Sequence, residues 1–318
     1  MNGPDDLLYV PSDGSVLVGE HGDGHIARMV APGNLQRLPQ VVPEAEGIAI
    51  VGDTIYIADQ FHARVVALTG NGVRTVLQLQ PVASGENLDG ISADVAGTGL
   101  VVPDSPHSRV LFVDTSGHIT RTFGGFSRPA GVAPEPANGG YLIADENASA
   151  VYEILGGRVT RVVGGLSGVD DAVRTGAGHL LAILPAAGTV RDVTANSNLA
   201  AGLHNPQGLG FDGAGNVLVT ESDNGRLDLV VTSFVAEVPS GTVQLSPGQA
   251  ICFGLIRAPG NNEEVQVFKA AGASAVTNPG AGNQGQVLPG PCNQASCDLT
   301  IELGGPSGVE FAHVSYRN

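Results

Sequence analysis

A repeat of about 40 residues constrains this chain more than any other feature of its sequence. Each copy has a short apolar strand, a turn rich in Gly, Asp and Asn, and a second strand that usually ends in an acidic residue. The six copies lie at 7–20, 47–59, 90–104, 131–145, 171–184 and 208–221. A third and a fourth strand follow in most copies, as in ARVVALT (63–69) and GVRTVLQL (72–79). The sequence therefore predicts six units of four antiparallel strands.

Four antiparallel strands at this period are typical of the blades of a β-propeller. We therefore predict an all-β fold with a six-bladed β-propeller at 1–240 and a small C-terminal β-sandwich-like domain at 241–318. In the second region the repeat is lost, although apolar and polar residues still alternate. The segment GTVQL (241–245) also fits the fourth strand of the sixth blade, so its assignment stays open.

The form of the repeat, with Gly opening the first strand and Arg opening the third, resembles the NHL repeat. The best matches are GIAIVGDTIYIAD (47–59) and GLGFDGAGNVLVTE (208–221), and the resemblance covers about three quarters of the chain. Related six-bladed propellers include the SMP-30/gluconolactonase-like and peptidyl-hydroxyglycine lyase groups. The resemblance therefore implies the fold, and it is compatible with both binding modules and enzymes.

The chain is strongly acidic, with 31 Asp and Glu against 15 Lys and Arg and a net charge of −16. Nucleic-acid binding needs clustered cations, so we expect no nucleic-acid partner. No apolar run approaches the length of a membrane-spanning helix, so we expect no membrane span. The expected partner is a protein or a small-molecule ligand on the channel face, and a homo-oligomer formed through the C-terminal domain is a further alternative.

The three cysteines, Cys252, Cys292 and Cys297, all lie late in the chain. The short spacing of Cys292 and Cys297 predicts a disulfide loop, with Cys252 as an alternative partner or a buried thiol. We therefore expect a secreted, periplasmic or cell-surface protein. The polar start MNGPDD shows no leader, and we expect any leader to be absent from this numbering. Zinc is less well supported, because no second Cys/His pair lies at ligand spacing.

The residue just before each first strand is expected to face the mouth of the central channel. Four of these six residues are carboxylates, which repel one another unless a cation lies among them. Oxygen ligands suit Ca²⁺, and Glu46 in EGI resembles the Glu-Gly of the gluconolactonase metal site. The predicted calcium ligands are Asp6, Glu46, Asp89, Asp170 and Gln207. The alternative is that these acids are solvated or cap backbone N–H groups.

Five of the six second strands end in an acidic residue. Three of these acids precede an arginine by five residues, which predicts ion pairs that hold one loop in each blade: Asp59 with Arg64, Asp104 with Arg109, and Glu221 with Arg226. Glu20 and Asp145 have no arginine at the matching place, so we expect them to be freer to act.

Five histidines are expected on the same face as these acids: His21, His25, His62, His107 and His204. Imidazole and carboxylate groups can act as acid and base. The catalytic candidates are therefore His21, His62, His107, Glu20 and Asp145. The alternative is that the histidines recur because the repeats copy one polar loop position. The sequence contains no nucleophile or phosphate-binding motif.

Two functions follow from these patterns. The first is a secreted NHL-type propeller that acts as a binding or structural and assembly module, with a metal ion at the channel mouth. The alternative is a metal-dependent lactonase or lyase that uses the acidic, histidine-rich channel face. The sequence leaves open whether the chain is an enzyme.

Overall fold

The structure, a computed structural model, is built almost entirely of β-strands. It describes residues 1–31, 34–70, 72–82, 88–213 and 215–231, and the backbone of the strands at 236–238, 241–243, 251–257, 264–269, 285–292, 296–305 and 308–317. Within these ranges the helical structure consists of two short 3₁₀ turns, Ser105–His107 and Pro185–Ala187. No helix in the same ranges has the length and apolar character needed to cross a membrane.

The first three blades are complete four-stranded antiparallel sheets. Blade 1 contains β1 (Pro4–Val10), β2 (Ser15–Glu20), β3 (His25–Ala31) and β4 (Asn34–Val41). Blade 2 contains β5 (Ala45–Val51), β6 (Thr54–Asp59), β7 (Arg64–Thr69) and β8 (Gly72–Gln78). Blade 3 contains β9 (Ser92–Ala93), β10 (Gly99–Asp104), β11 (Arg109–Asp114) and β12 (Ile119–Gly124).

The next two blades have the same arrangement, and the sixth begins in the same way. Blade 4 contains β13 (Pro129–Glu135), β14 (Gly140–Asp145), β15 (Ala150–Leu155) and β16 (Arg158–Gly164). Blade 5 contains β17 (Ala172–Arg174), β18 (Leu180–Leu184), β19 (Thr189–Asp192) and β20 (Ser197–Ala201). Blade 6 begins with β21 (Pro206–Phe211), β22 (Val217–Glu221) and β23 (Arg226–Val231). The prediction of a six-bladed all-β propeller is confirmed.

The remaining strands pair mainly with their neighbours in sequence. They are β24 (Ala236–Val238), β25 (Gly241–Val243), β26 (Ile251–Arg257), β27 (Glu264–Lys269), β28 (Gly285–Cys292), β29 (Ser296–Gly305) and β30 (Gly308–Arg317). Strand β30 lies parallel to β23 and occupies the fourth position of the sixth sheet. Strand β25, from the GTVQL segment, pairs with β24 instead. The domain boundary near residue 240 stays a prediction.

The first strands of the six blades contact one another in order around the channel, and the ring closes between β21 and β1. A backbone hydrogen bond joins neighbours where Gly131 N–H donates to the carbonyl of Asp170 over 2.9 Å. A Cβ atom at Gly131 would lie 2.5 Å from that oxygen, so only glycine permits this approach. Gly47 makes the same kind of bond to Asp89 over 3.0 Å. This contact explains the glycine that opens the first strand in the repeat.

Each pair of neighbouring blades encloses its own apolar cluster. Alternate side chains of a strand point to opposite faces of its sheet, so the middle strands of a blade are buried against both neighbours. Between blades 2 and 3, for example, Val65 and Leu77 share a cluster with Val102 and Leu111. The outer strands β12 and β16 are mostly exposed. This packing holds the loops of the channel mouth on a rigid frame.

Candidate functional site at the channel mouth

Two sequence positions that recur from blade to blade build most of the mouth of the channel. The inner position directly precedes the glycine position of the first strand, and the outer position directly follows the second strand. Together they line a cavity of about 510 Å³, a volume within the range of small-molecule sites. The lining residues are Asp5, Glu46, Asp89, Asp170 and Gln207 at inner positions, His21, Gln60, Glu146, Pro185 and Ser222 at outer positions, and Arg128, Gly168, Ala186 and Asn205.

Blade 1 contributes Asp5 to this cavity rather than the predicted Asp6. The side chain of Asp6 accepts hydrogen bonds from the backbone N–H of Leu7 over 2.7 Å and of Ile48 over 2.9 Å. Asp6 thus occupies the position that glycine holds in blade 2 and links β1 to β5. The alignment of the repeats, which placed Asp6 at the mouth, was therefore wrong by one residue. A shift of one residue in a strand turns the side chain to the other face.

Blade 5 repeats this exchange of glycine for aspartate. Asp171 accepts hydrogen bonds from the backbone N–H of Ala172 over 2.7 Å and from the backbone N–H of Leu209 in blade 6. Burial raises the pKa of Asp171 to about 6, against the lowering effect of these two bonds. Asp6 and Asp171 therefore join neighbouring blades below the mouth. They also line a narrower part of the channel, a cavity of about 30 Å³.

His21, Glu46 and Asp5 form a connected group between blades 1 and 2. His21 Nδ1 forms a hydrogen bond with Glu46 Oε1, and Asp5 shares a second hydrogen bond with Glu46. Burial raises the pKa of Glu46 and Asp5 well above their usual range, and the bond between them raises the pKa of Asp5 and lowers that of Glu46. Glu46 is therefore in hydrogen-bond contact with both neighbours.

Asp89 is held by donors from three blades. Gln60 Nε2 donates to Asp89 Oδ1 over 2.8 Å, and Ser105 Oγ donates to Oδ2 over 3.2 Å. Arg128 reaches Asp89 Oδ2 over 3.0 Å and also pairs with Glu146. Burial raises the pKa of Asp89, and the guanidinium of Arg128 lowers it. Both oxygens of Asp89 are therefore engaged by protein groups.

At two junctions the outer residue of one blade is hydrogen-bonded to the inner residue of the next blade, as in His21 with Glu46 and Gln60 with Asp89. At the junction of blades 4 and 5, both of these positions carry an acid. The outer position of blade 4 is Glu146, and the inner position of blade 5 is Asp170. In the described part of the chain, the Asp170 side chain receives no hydrogen bond. Burial, and then the negative charges of the other mouth acids, raise its pKa well above the usual range. The cavity has five carboxylates and one arginine among its lining residues.

The acids that end the second strands lie behind this wall and are buried. The three predicted ion pairs are present, at 2.7 Å for Asp59 with Arg64, 2.6 Å for Asp104 with Arg109, and 2.5 Å for Glu221 with Arg226. Each pair joins the two ends of one loop. These acids therefore hold the loops in place.

The expectation that Glu20 and Asp145 are freer to act is wrong. Both side chains are fully buried. Arg37 Nε lies 2.7 Å from Glu20 Oε2, Arg37 Nη2 lies 2.8 Å from Oε1, and Asn2 N–H donates to Oε1 over 2.8 Å. The partners of Asp145 are the backbone N–H groups of Ser127, Arg128 and Ala148. Neither acid has an open face toward the cavity.

His21 is the catalytic candidate that the structure places on the cavity wall. His62 Nδ1 lies 2.9 Å from Asp59 Oδ1, and His107 Nδ1 lies 2.6 Å from Asp104 Oδ1, both outside the lining set. Sequence reasoning missed Asp5, Gln60, Arg128 and Glu146. For Gln60 and Glu146 the available signal was the position directly after the second strand, since that position recurs around the cavity.

Of the predicted calcium ligands, Glu46, Asp89, Asp170 and Gln207 share the cavity. Within the described residues, no group of three or more His, Cys, Asp or Glu side chains is arranged to hold a metal ion. Gln207 Nε2 donates to Asn205 Oδ1 over 3.2 Å, and both Glu46 and Asp89 have protein partners. Asp170 is therefore the predicted ligand whose side chain has the most open coordination.

No protein-family model and no curated protein matches the chain. Solved structures do. Virginiamycin B lyase from Staphylococcus aureus is 13% identical, with 85% of this chain and 92% of that chain covered at a TM-score of 0.54. Regucalcin from Agrobacterium tumefaciens, described as a calcium-binding protein, is 15% identical, with 69% of this chain and 82% of that chain covered at a TM-score of 0.54. A chain of a nidogen/laminin complex is 18% identical, with 64% of this chain and 83% of that chain covered at a TM-score of 0.53. These neighbours include an enzyme and binding proteins, and at such identities the likeness shows the propeller fold alone.

Proposed function

We propose that this propeller is a binding protein that takes a positively charged ligand in its channel mouth. The observation that supports it best is the place where Glu146 and Asp170 face the cavity together. In blades 1 and 2, and in blades 2 and 3, the equivalent positions hold a hydrogen-bonded pair. Glu146 is already paired with Arg128, whereas the Asp170 side chain receives no hydrogen bond among the described residues, so a cation at the mouth would compensate the carboxylate of Asp170.

The cavity favours an organic cation over a bare metal ion. Its volume of about 510 Å³ is suited to a small molecule, and the neighbouring acids Glu46 and Asp89 already have protein partners. An ammonium or guanidinium group can donate hydrogen bonds to Asp170 without a full shell of oxygen ligands. Calcium remains the second cation to test, because carboxylate oxygens suit it.

The same proposal places the protein outside the cytoplasm. Its support is the pairing of β28 with β29, in which Cys292 and Cys297 are direct cross-strand partners. Directly opposed residues in an antiparallel pair have Cα atoms about 4.5–5.5 Å apart, which a disulfide can bridge. Such a bond persists in an oxidising compartment.

Thermal melting with defined cations tests the proposal. The probes are choline, spermidine and calcium chloride, with sodium chloride as the control for ionic strength. A ligand at a hundred times its Kd adds about 2.7 kcal/mol to the stability of the folded state. We expect at least one organic cation to raise the Tm, and Asp170→Asn to abolish that rise.

Asp53→Asn is the matched control, because it removes one carboxylate from an exposed turn outside the cavity. It should leave the response intact. The proposal fails if no probe raises the Tm beyond sodium chloride, or if Asp170→Asn responds as the wild type does. A rise with calcium alone that a chelator reverses would favour the metal-dependent lactonase or lyase over an organic-cation binder.

A further inference from the structure

We infer that the channel mouth binds an extended segment of a partner protein. A lysine or arginine side chain of that segment enters the cavity, and the apolar side chains two residues before and two residues after it contact opposite sides of the rim. The inference rests on the proposed binding of a cationic ligand. It names the class of partner for that site and the sequence pattern that the partner carries.

Phe61 provides the first apolar contact. It follows Gln60, which lines the cavity, and at 59% exposure it is the most exposed large hydrophobic residue in the described part of the chain. Its ring packs edge-on against His62, with ring centroids 4.8 Å apart, and His62 Nδ1 lies 2.9 Å from Oδ1 of the buried Asp59. Because its neighbour is anchored, Phe61 loses little side-chain freedom when a partner covers it.

The second apolar contact is the 3₁₀ turn of blade 5, Pro185–Ala187. Blade 5 departs from the repeat here, because Leu184 replaces the acid that ends the second strand of the other five blades. Two residues of the turn line the cavity, and Ala186 and Ala187 are exposed. Ala186 holds the same place in its loop as Phe61 does in blade 2. Blades 2 and 5 are three steps apart in a ring of six, so the two contacts lie on opposite sides of the mouth.

A short extended peptide matches this arrangement. Acids line the cavity between the two apolar contacts, and Asp170 is the one that receives no hydrogen bond within the described residues. Successive side chains of an extended chain point to opposite sides, so residues i−2, i and i+2 face the mouth together. At about 3.3 Å per residue these three span roughly 13 Å. The pattern that fits is an apolar residue, any residue, Lys or Arg, any residue, and a second apolar residue.

A small cation that fills only the cavity uses less of this surface. It compensates Asp170 but leaves Phe61 and the blade 5 turn in water. Single exposed apolar residues are common on protein surfaces, but these two contacts flank one acidic cavity from opposite sides. A protein segment covers all three features. The net charge of −16 on the chain favours a segment that is basic.

Isothermal titration calorimetry with capped pentapeptides tests the inference. The peptide LSKSL has the proposed pattern, SLKLS has the same composition with both leucines next to the lysine, and SSKSS has no leucine. We expect LSKSL to bind about tenfold more tightly than either of the others, because only its leucines reach both apolar contacts. The peptide LSQSL lacks the charge and should bind at least about tenfold more weakly than LSKSL.

Variants of the protein assign the two kinds of contact. Phe61→Ser should lower the affinity for LSKSL toward that for SSKSS and leave the affinity for SSKSS unchanged. Ile119→Ser is the matched control, because it removes an exposed apolar side chain from the outer strand β12, and it should change neither affinity. Asp170→Asn should weaken both lysine peptides. Melting curves of each variant confirm that it folds.

The two proposals can fail separately. The peptide inference is overturned if LSKSL binds within about twofold of SLKLS, if Phe61→Ser keeps the preference for LSKSL, or if Ile119→Ser loses as much of it. It is also overturned if no peptide binds while an organic cation raises the Tm, and the binding proposal then stands. If no peptide binds and no cation raises the Tm, both are overturned.

Discussion

Asp171→Asn should stabilise the propeller at neutral pH and remove part of its pH dependence. The Asp171 carboxylate lies below the mouth, where burial raises its pKa from 3.8 to about 6. The ionised form has lost hydration that two backbone hydrogen bonds replace only in part. Asparagine keeps an oxygen that can accept from Ala172 or Leu209 and carries no charge.

The direction of the effect follows from the two protonation states. Below about pH 4 the carboxyl group is protonated in the folded and the unfolded chain, so its burial does not lower the free energy of unfolding. Between about pH 4 and pH 6 the unfolded chain loses the proton first, and the free energy of unfolding falls as pH rises. Above about pH 6 the full penalty is present.

The penalty is worked from the shift in pKa. A rise of about 2 units corresponds to about 3 kcal/mol, since each unit is worth 1.36 kcal/mol. This figure is an upper limit, because the residue is only partly buried and solvent screens its charge. A domain of this size gains roughly 2–4 °C in Tm per kcal/mol. Asp171→Asn should therefore raise the Tm by several degrees near pH 7.5 and by almost nothing near pH 4.

Urea unfolding followed by circular dichroism at several pH values measures this effect. Asp53→Asn removes a carboxylate from an exposed turn, and its profile should follow the wild type. If the Asp171→Asn profile also runs parallel to the wild type, the buried charge carries no penalty and the reasoning is refuted. A loss of stability near pH 7.5 would show that the two hydrogen bonds outweigh the desolvation of the charge.

Two substitutions test the frame around the site, and a peptide map tests the pairing of β28 with β29. Arg37→Ala should lower the free energy of unfolding by about 1–3 kcal/mol in urea titrations, because it leaves the buried carboxylate of Glu20 without its guanidinium. Gly131→Ala should cost about 1–3 kcal/mol, because the new Cβ atom meets a backbone oxygen at 2.5 Å. Peptide mapping of the non-reduced protein should find Cys292 joined to Cys297, since the two are cross-strand partners.

Each of these predictions has its own control or contrary result. Gly124→Ala places a Cβ atom in open space and should change stability little, so an equal loss at both glycines would contradict the close-contact argument. An unchanged urea midpoint in Arg37→Ala would show that Glu20 does not depend on its guanidinium. Free thiols at both cysteines would remove the support for an oxidising compartment.

The sequence predicted the blades well because their determinants are local. A Gly-rich turn between two apolar strands, followed by an acid and an arginine five residues later, defines one blade and one loop. The pairs of Asp59 with Arg64 and of Asp104 with Arg109 join residues close in sequence, and both are present. Such contacts can be inferred from spacing alone.

Contacts between blades or with outer strands were harder to infer. Arg37 belongs to β4, whose sequence has little in common with the other fourth strands, so its bond to Glu20 had no signal in the repeat. The side-by-side acids Asp5 and Asp6 hid which of them takes the glycine position. The bond of His21 to Glu46 depends on how two blades meet, and no spacing within one blade encodes that.

The two aspartates that replace glycine give the channel acidic groups at more than one depth. Asp5 and Asp170 lie at the mouth, and Asp6 and Asp171 line the narrower part below it together with them. Field lines converge in a cleft lined by charges of one sign, which raises the encounter rate of a counter-ion by about 10- to 1,000-fold. A cationic molecule would thus be drawn along the propeller axis before it touches any single residue. Its rate of association, more than its rate of escape, would fall as salt is added.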